Sequence, residues 1–237
     1  MSKLKESTTQ DRALVFLKKH YTQIFSKAGD EIYCEKEKRT RKESGGKRAD
    51  GLLCFEKEGK PYTISLEAKS HKTLNALISS TNDEKFLLQS VLVSSVLTLL
   101  TVLGFSYYTL IAWYYIAFIA IAVFIMGVFF TAFIFDFLDL DSHRAINVVN
   151  QLKQYPANEQ WIAFSKHTDN LLLNSPFKRK RNHIEVLEKL CRKNGFGLLL
   201  VTRNGCDIKV CPTPKKGQFL YHYCREQEIL KAIKKQE

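Results

Sequence analysis

The sequence predicts a mixed α/β domain interrupted midway by a two-helix transmembrane hairpin. Three observations carry this reading. No Asp, Glu, Lys or Arg occurs from Phe86 to Phe135, although 25% of the chain is charged. On either side of that stretch, apolar residues recur at helical and strand spacings in alternation. All the acidic and basic residues therefore lie in the two flanking segments, whose patterns complete one another as a single domain.

The charge-free stretch divides into two spans, 86–105 and 110–135. Each meets the roughly 20 residues that a helix needs to cross about 30 Å of hydrocarbon. Ser106, Tyr107, Tyr108 and Thr109 form the link, a tight turn at the headgroups, and the two tyrosines join Trp113, Tyr114 and Tyr115 in an interfacial belt. The competing reading, two buried core helices, is disfavoured because a domain of ordinary size seldom hides two consecutive charge-free helices. Met1 to Lys27 mixes charges without the apolar core of a signal peptide. Lys69, Lys72 and Lys85 precede the first span, Arg144 and Lys153 follow the second, and the link has no cation. The positive-inside rule then puts both ends in the cytoplasm. The expectation is a two-span protein, of the inner membrane if bacterial, with a domain in two parts (1–80 and 139–237) and a hairpin region at 81–138. Ser and Thr within the spans are read as helix-packing residues, and pairing with a partner subunit or a second copy through the hairpin is open.

Thirty-six Lys and Arg against 24 Asp and Glu leave a net charge of +12. An excess of that size selects anionic partners, either nucleic acid or the headgroups of the lipid bilayer. The six cysteines form no close metal-binding pair, and a cytoplasmic domain keeps them reduced. The six histidines are scattered without a nucleophile beside any of them.

Element by element, Leu14, Leu17, Tyr21, Ile24 and Phe25 mark a helix over 11–28 that Gly29 stops. A short strand at 31–36 follows. Arg39, Arg41, Lys42, Lys47 and Arg48 then surround Gly45 and Gly46 in what reads as an exposed, mobile loop. Strands at 49–55 and 62–70 are joined by a polar turn as an antiparallel pair. In the second, Ile64, Leu66 and Ala68 alternate with Ser65, Glu67 and Lys69, so one face enters the core and the other carries the charges. Beyond the hairpin come a helix through Ile146, Val149 and Leu152 that Pro156 ends, a strand at 161–164, and a helix opened by an Asn182–Glu185 capping box and closed by Gly195. Strands at 196–202 and 207–211 flank an Asn204–Gly205 turn, and 226–235 is a basic helix.

Asp50 starts one strand while Glu67 and Lys69 share a face of the next, so the three can converge at one sheet edge. Adjacent carboxylates repel unless a cation neutralises them, and hard oxygen ligands suit Mg²⁺. A neighbouring lysine can steer water or offset developing phosphate charge. Arg48-Ala49-Asp50-Gly51 followed by Ser65-Leu66-Glu67-Ala68-Lys69 resembles the PD-(D/E)xK nuclease superfamily, whose restriction-endonuclease-like core runs αβββαβαβ. The resemblance covers most of the soluble chain. It implies Mg²⁺ or Mn²⁺ held by Asp50 and Glu67, Lys69 as the catalytic amine, and hydrolysis of phosphodiester bonds, most often of DNA. It departs from the family in having Ala49 where a proline is usual, and no acid in the first helix between Arg12 and Lys27; Glu31 is the nearest substitute. Gln151 or Gln154 stands where some members carry a site glutamine. Arg41, Lys42, Lys47, Arg48 and the run Lys178, Arg179, Lys180 and Arg181 are candidate phosphate contacts. The alternative is a non-catalytic, membrane-tethered nucleic-acid-binding or assembly module of the same fold.

Overall fold

A computed structural model describes residues 4–25, 32–81, 83–108, 112–138, 144–173 and 183–234. The chain forms two units, Met1–Ser79 with Ile146–Glu237, and Ser80–Ala145. The first is built from α1 (Glu6–Phe25), β1 (Tyr33–Lys36), β2 (Gly51–Lys57), β3 (Lys60–Lys69), and, after the insertion, α4 (Asn147–Leu152), β6 (Glu159–Ser165), α5 (Lys166–Leu173), α6 (His183–Asn194), β7 (Gly197–Val201), β8 (Cys206–Val210) and α7 (Glu226–Ile233). The second holds the long helices α2 (Asp83–Tyr108) and α3 (Trp113–Leu138). Two short strands that pair with each other, β4 (Ser79–Thr81) and β5 (Arg144–Ile146), straddle the boundary.

Six strands form one mixed sheet in the order β1-β2-β3-β6-β7-β8. The β2–β3 pair is antiparallel, with Lys57 opposite Lys60. Only Glu58 and Gly59 remain for the turn, both at positive φ (53° and 74°), as a two-residue turn matching the right-handed twist of its strands requires. β3 then runs parallel to β6, Leu66 opposite Trp161 and Lys69 opposite Phe164, although the inserted helices separate them in sequence. β6 and β7 are parallel, and β8 closes the far edge antiparallel to β7.

The sheet is covered on both faces. Over one, α1 lays Ala13, Leu14, Leu17 and Tyr21 on Leu53, Phe55, Ile64, Leu66, Trp161 and Leu199. On the other are two separate apolar clusters. Leu52 and Cys54 pack under Leu220, Tyr223, Ile229 and Ile233 of the C-terminal segment, while Ile162, Phe164, Leu198 and Leu200 pack under α4, α5 and α6. Between them β3 presents Thr63, Ser65, Glu67 and Lys69, all buried. The charged face of β3 is therefore also an interior face, because β3 is a central strand covered by helices on both sides.

In the hairpin unit α2 and α3 are each long and apolar enough to cross a bilayer, and only 11% and 6% of the two spans is buried. Core helices of a soluble protein are mostly buried, and these two are not. Their mutual contact is made by small residues: Ser90 and Ser94 are fully buried, Ser94 Oγ lies 3.4 Å from Thr131 Oγ1, and a Cβ on Gly127 would come within 3.1 Å of Ser94 Oγ. Close approach of this kind supplies the van der Waals contact that associates helices in lipid. Leu99, Phe118, Phe129 and Phe133 point outward, as do Tyr107, Trp113, Tyr114 and Tyr115 near the turn.

Several boundaries differ from the sequence reading. α1 starts at Glu6 rather than Asp11, because its polar first turn, with Thr9 and Gln10 buried, supplies no apolar periodicity to read. α2 continues to Tyr108, through most of the expected link. α5 was not anticipated; its Lys166–Asp169 pair hides a short amphipathic turn that buries Thr168 and Leu172. Gly29, Asn182 and the residues between α2 and α3 at 109–111 lie outside the described residues. The close β6–β7 pairing makes a concrete demand at Gly197, where a Cβ would sit 2.5 Å from the Trp161 ring, itself 1% exposed. Gly197→Ala is expected to destabilise the soluble unit by about 1–3 kcal/mol through overpacking. Chemical denaturation followed by Trp fluorescence checks this; an unchanged midpoint would show that the ring can yield.

Candidate active site

The site is assembled where three elements meet: the start of α1, the residue before β2, and the end of β3. Asp50 is fixed through its backbone, its carbonyl accepting from Glu37 N at 2.9 Å and from the Gln10 side chain. Its carboxylate reaches across the β2–β3 pair to accept from Ala68 N at 2.7 Å. Alternation along β3 puts Glu67 and Lys69 on one face, and Lys69 Nζ donates to Glu67 Oε1 at 2.7 Å with both side chains about 6–7% exposed. Among the described residues, Glu67 Oε2 is buried without a hydrogen-bond partner. Beyond β3, Ser70 and Thr73 cap a short 3-10 turn, and both hydroxyls donate to Glu6 Oε2, at 3.1 and 2.8 Å.

Burial and crowding of like charge dominate the electrostatics. Burial first, then the Asp50 charge, pushes the Glu67 carboxyl up to about 7 despite Lys69 beside it; Glu6 adds to the rise. Asp50 is raised as well, chiefly by burial, with the Ala68 N–H, Lys69 and Arg48 acting in the opposite direction. The Tyr155 phenol is raised to about 12 by burial and then by the charges of Glu67 and Asp50, so it belongs to the same electrostatic neighbourhood. Three carboxylates thus act on one another around one buried amine. A buried acceptor without a partner costs about 1–3 kcal/mol, and more when charged.

A hard divalent cation would relieve both the repulsion and the orphaned oxygen. Asp50 and Glu67 fit such an ion by donor type and by this unmet need, and Mg²⁺ is usually held by only one or two carboxylates with water completing its shell. Manganese accepts the same oxygen donors. Among the described residues no group of three or more His, Cys, Asp or Glu could hold a metal ion.

Asp50, Glu67 and Lys69 are therefore brought together, but at the ends of central strands rather than on an edge strand. The basic loop is exposed yet tethered, which corrects its reading as mobile. Arg41 pairs with Glu226 at 2.9 Å, Arg48 with Glu37 at 3.2 Å, Ser44 hydrogen-bonds His222 at 2.8 Å, and Arg39 bridges Arg48 across the loop. Lys42 and Lys47 are exposed. Lys178, Arg179, Lys180, Arg181 and Glu31 lie outside the described residues. Gln154 is exposed, whereas Gln151 buries an Oε1 that has no partner.

Sequence reasoning missed Glu6, Gln10 and Tyr155. For the first two a signal existed: an acid and an amide four residues apart share a helix face, here the face that meets Ser70 and the Asp50 carbonyl. Comparison of the chain with protein-family models, with curated proteins and with solved structures gives no match.

The raised Glu67 carboxyl has a measurable consequence for stability. Folded Glu67 keeps its proton to about 7, whereas an unfolded glutamate loses it near 4.5. In EDTA the protein is expected to lose stability as pH rises from about 4.5 to 7, because folding then requires proton uptake or a buried charge. Thermal melts should show this decline flattened in Glu67→Gln; an identical pH profile in that variant would mean Glu67 is not the group responsible.

Proposed function

We propose that this chain is a membrane-anchored, metal-dependent nuclease that hydrolyses phosphodiester bonds of DNA on the cytoplasmic side. The observation that carries the reading is the unpartnered Glu67 oxygen beside Asp50 and Lys69, at the mouth of a central strand. Buried acids that face one another without compensating donors are costly, and such groups concentrate where chemistry needs them. The element order supports the same reading: α1, β1, β2, β3, α4, β6, α6 and β7 run in the αβββαβαβ sequence of the family that the Asp50 and Glu67-x-Lys69 motifs resemble, with α5, β8 and α7 as additions and β4, α2, α3 and β5 inserted after β3.

Bound Mg²⁺ or Mn²⁺ would supply a Lewis acid for the phosphate and for an attacking water. The protein's own residues do the rest. Asp50, held by the Ala68 amide, and Glu67, held by Lys69, keep two carboxylate groups fixed at the strand ends. Lys69 places a buried positive charge beside the reacting phosphate, where negative charge grows in the transition state. Glu6, anchored by Ser70 and Thr73, holds the start of α1 over the site and adds a third negative charge.

Anchoring follows from the sheet. Strands β3 and β6 are neighbours, so a chain that leaves after β3 and returns before β6 must cross a bilayer an even number of times, and α2 and α3 provide two crossings. The cations flanking the hairpin favour the cytoplasm for both ends.

Purified protein in detergent is expected to cut DNA with Mg²⁺. Asp50→Ala, Glu67→Ala and Lys69→Ala should each lower the rate by at least about 10²-fold, the scale of losing one preorganised charge. Equal cleavage by wild type and all three variants would remove the assignment, whereas oligonucleotide binding that survives in the variants with no cleavage by any protein would favour the non-catalytic module. Topology has its own test in bacterial cells. Green fluorescent protein joined after Glu237 should fluoresce, and alkaline phosphatase inserted at the α2–α3 turn should be active; the opposite pattern would put the site outside the cytoplasm.

A further inference from the structure

The carboxyl ends of the parallel strands β3, β6 and β7 lie along one rim of the sheet, and the acid cluster uses only the β3 part. Further along is a crevice of about 520 Å³ lined by Leu4, Lys166, His167, Leu200, Thr202, Arg203, Asn204, Asp207 and Lys209. It lies at the carboxyl ends of β6 and β7, the position where open α/β sheets take their ligands. Its place relative to the site can be read from the strand register. Lys69 is opposite Phe164, Phe164 opposite Leu200, and Leu200 opposite Asp207. Leu200 is thus two strands from Lys69 on the same face, a separation of roughly 10 Å at ordinary strand spacing. The two places also touch through side chains. His167 in the crevice meets His71, two residues past Lys69, with ring centroids 5.6 Å apart. Leu4 lies two residues before Glu6.

The crevice differs from the acid cluster in sign. Three cationic side chains, Lys166, Arg203 and Lys209, line it against one acid, Asp207. Lys166 leans on Asp169 at 2.7 Å, while Arg203 and Lys209 of the β7–β8 hairpin are exposed and, among the described residues, make no ion pair. That hairpin is held in place. Arg12 of α1 donates to the carbonyls of Thr202 and Arg203, at 2.9 and 2.5 Å, and Thr202 and Gly205 exchange hydrogen bonds across the turn. A fixed cationic tip attracts a polyanion, and with a divalent cation neutralising the acids one phosphate would sit there and a neighbour at the tip.

We propose that this crevice is a second phosphate subsite, in which Arg203 and Lys209 bind the backbone of a single nucleic-acid strand on one side of the phosphate held at Asp50 and Glu67. The identity of the ligand rests on the nuclease reading above; the site itself is a separate set of residues. Cations that contact phosphates release counterions from the nucleic acid, so each carries a salt-dependent share of the affinity, about 0.7 in the slope of log K against log salt for single strands.

The test uses the full chain in nanodiscs of neutral lipid, carrying Glu67→Gln to suppress cleavage, and a fluorescein-labelled 15-nucleotide oligodeoxythymidylate followed by anisotropy. Arg203→Ala with Lys209→Ala is expected to weaken binding about tenfold or more and to lower the salt slope by about 1.4 in all. Asp207→Asn, which removes the opposing charge and cannot gain affinity by misfolding, should tighten binding about two- to threefold. Unchanged affinity and slope in the double variant would overturn the proposal. So would lost binding to phosphatidylglycerol vesicles with oligonucleotide binding intact, since the cations would then serve a lipid surface. Cleavage is not part of this readout. Protein that binds through Arg203 and Lys209 but never cuts keeps the subsite and loses the nuclease reading, and protein that cuts while binding ignores both cations does the reverse.

Discussion

The parallel ladder between β3 and β6 joins two stretches of chain that the inserted helices keep far apart in sequence, and the rest of the soluble unit is arranged around it. It makes β3 a central strand, with both faces covered. It sets Lys69 beside Phe164 and aligns the carboxyl ends of β3, β6 and β7 on one rim. Parallel strands cannot be joined by a tight turn and need a crossover connection. Here the connection carries α2, α3 and α4, so the inserted helix pair occupies a place in the topology where a long link was already required. Inserting it costs the domain little beyond loop entropy, which grows only slowly with length.

The second face of the sheet shows where the fold gives up apolar contact. On the first face a single continuous cluster runs under α1 from Leu53 to Val201. On the second, the clusters around Leu52 and around Ile162 are divided by the polar row of β3. The lower part of that row is satisfied within the protein. Asn158 accepts from Thr63 N at 2.8 Å and donates to the carbonyls of Lys215 and Gly217, and Ser65 donates to the Tyr155 carbonyl. Among the described residues, the upper part of the row, at Glu67, leaves a buried oxygen without a donor. Polar groups at the lower end therefore fix the packing of the C-terminal loop, and those at the upper end have no such structural use.

Much of this was legible in the sequence because it rests on local pattern. Period-two alternation from Ile64 to Lys69 identified both the strand and the shared face of Glu67 and Lys69, and Asn204-Gly205 identified the last hairpin. The spans were legible from the missing charges alone. What failed did so where tertiary contact overrides pattern. The first turn of α1 is polar because it overhangs the sheet end, where Glu6 has partners just past β3, at Ser70 and Thr73, and Gln10 has one at Asp50; with no apolar residue to mark it, the helix read as starting at Asp11. The basic loop reads as mobile from its glycines and charges, yet Arg41, Ser44 and Arg39 are tied to the 222–226 segment, a partner that no local window contains. Tyr155 follows a helix end, and nothing in its local pattern singles it out.

A buried Lys–Glu pair is by itself weak support for stability, since desolvation offsets much of the attraction. The Lys69–Glu67 contact is weaker still as a structural device, because one oxygen of the carboxylate stays unpaired and two further acids act on it. Apolar side chains at 67 and 69 would join the Leu52 and Ile162 clusters into one, and burial of their surface would stabilise the fold at roughly 25 cal/mol per Å². The chain instead keeps charges at the one point where the start of α1, the start of β2 and the end of β3 converge. Packing does not account for that choice. A ligand that offers positive charge to the carboxylates and negative charge to the lysine would answer both halves of it, and the metal ion and phosphate proposed above are the simplest chemistry that would meet the two demands together.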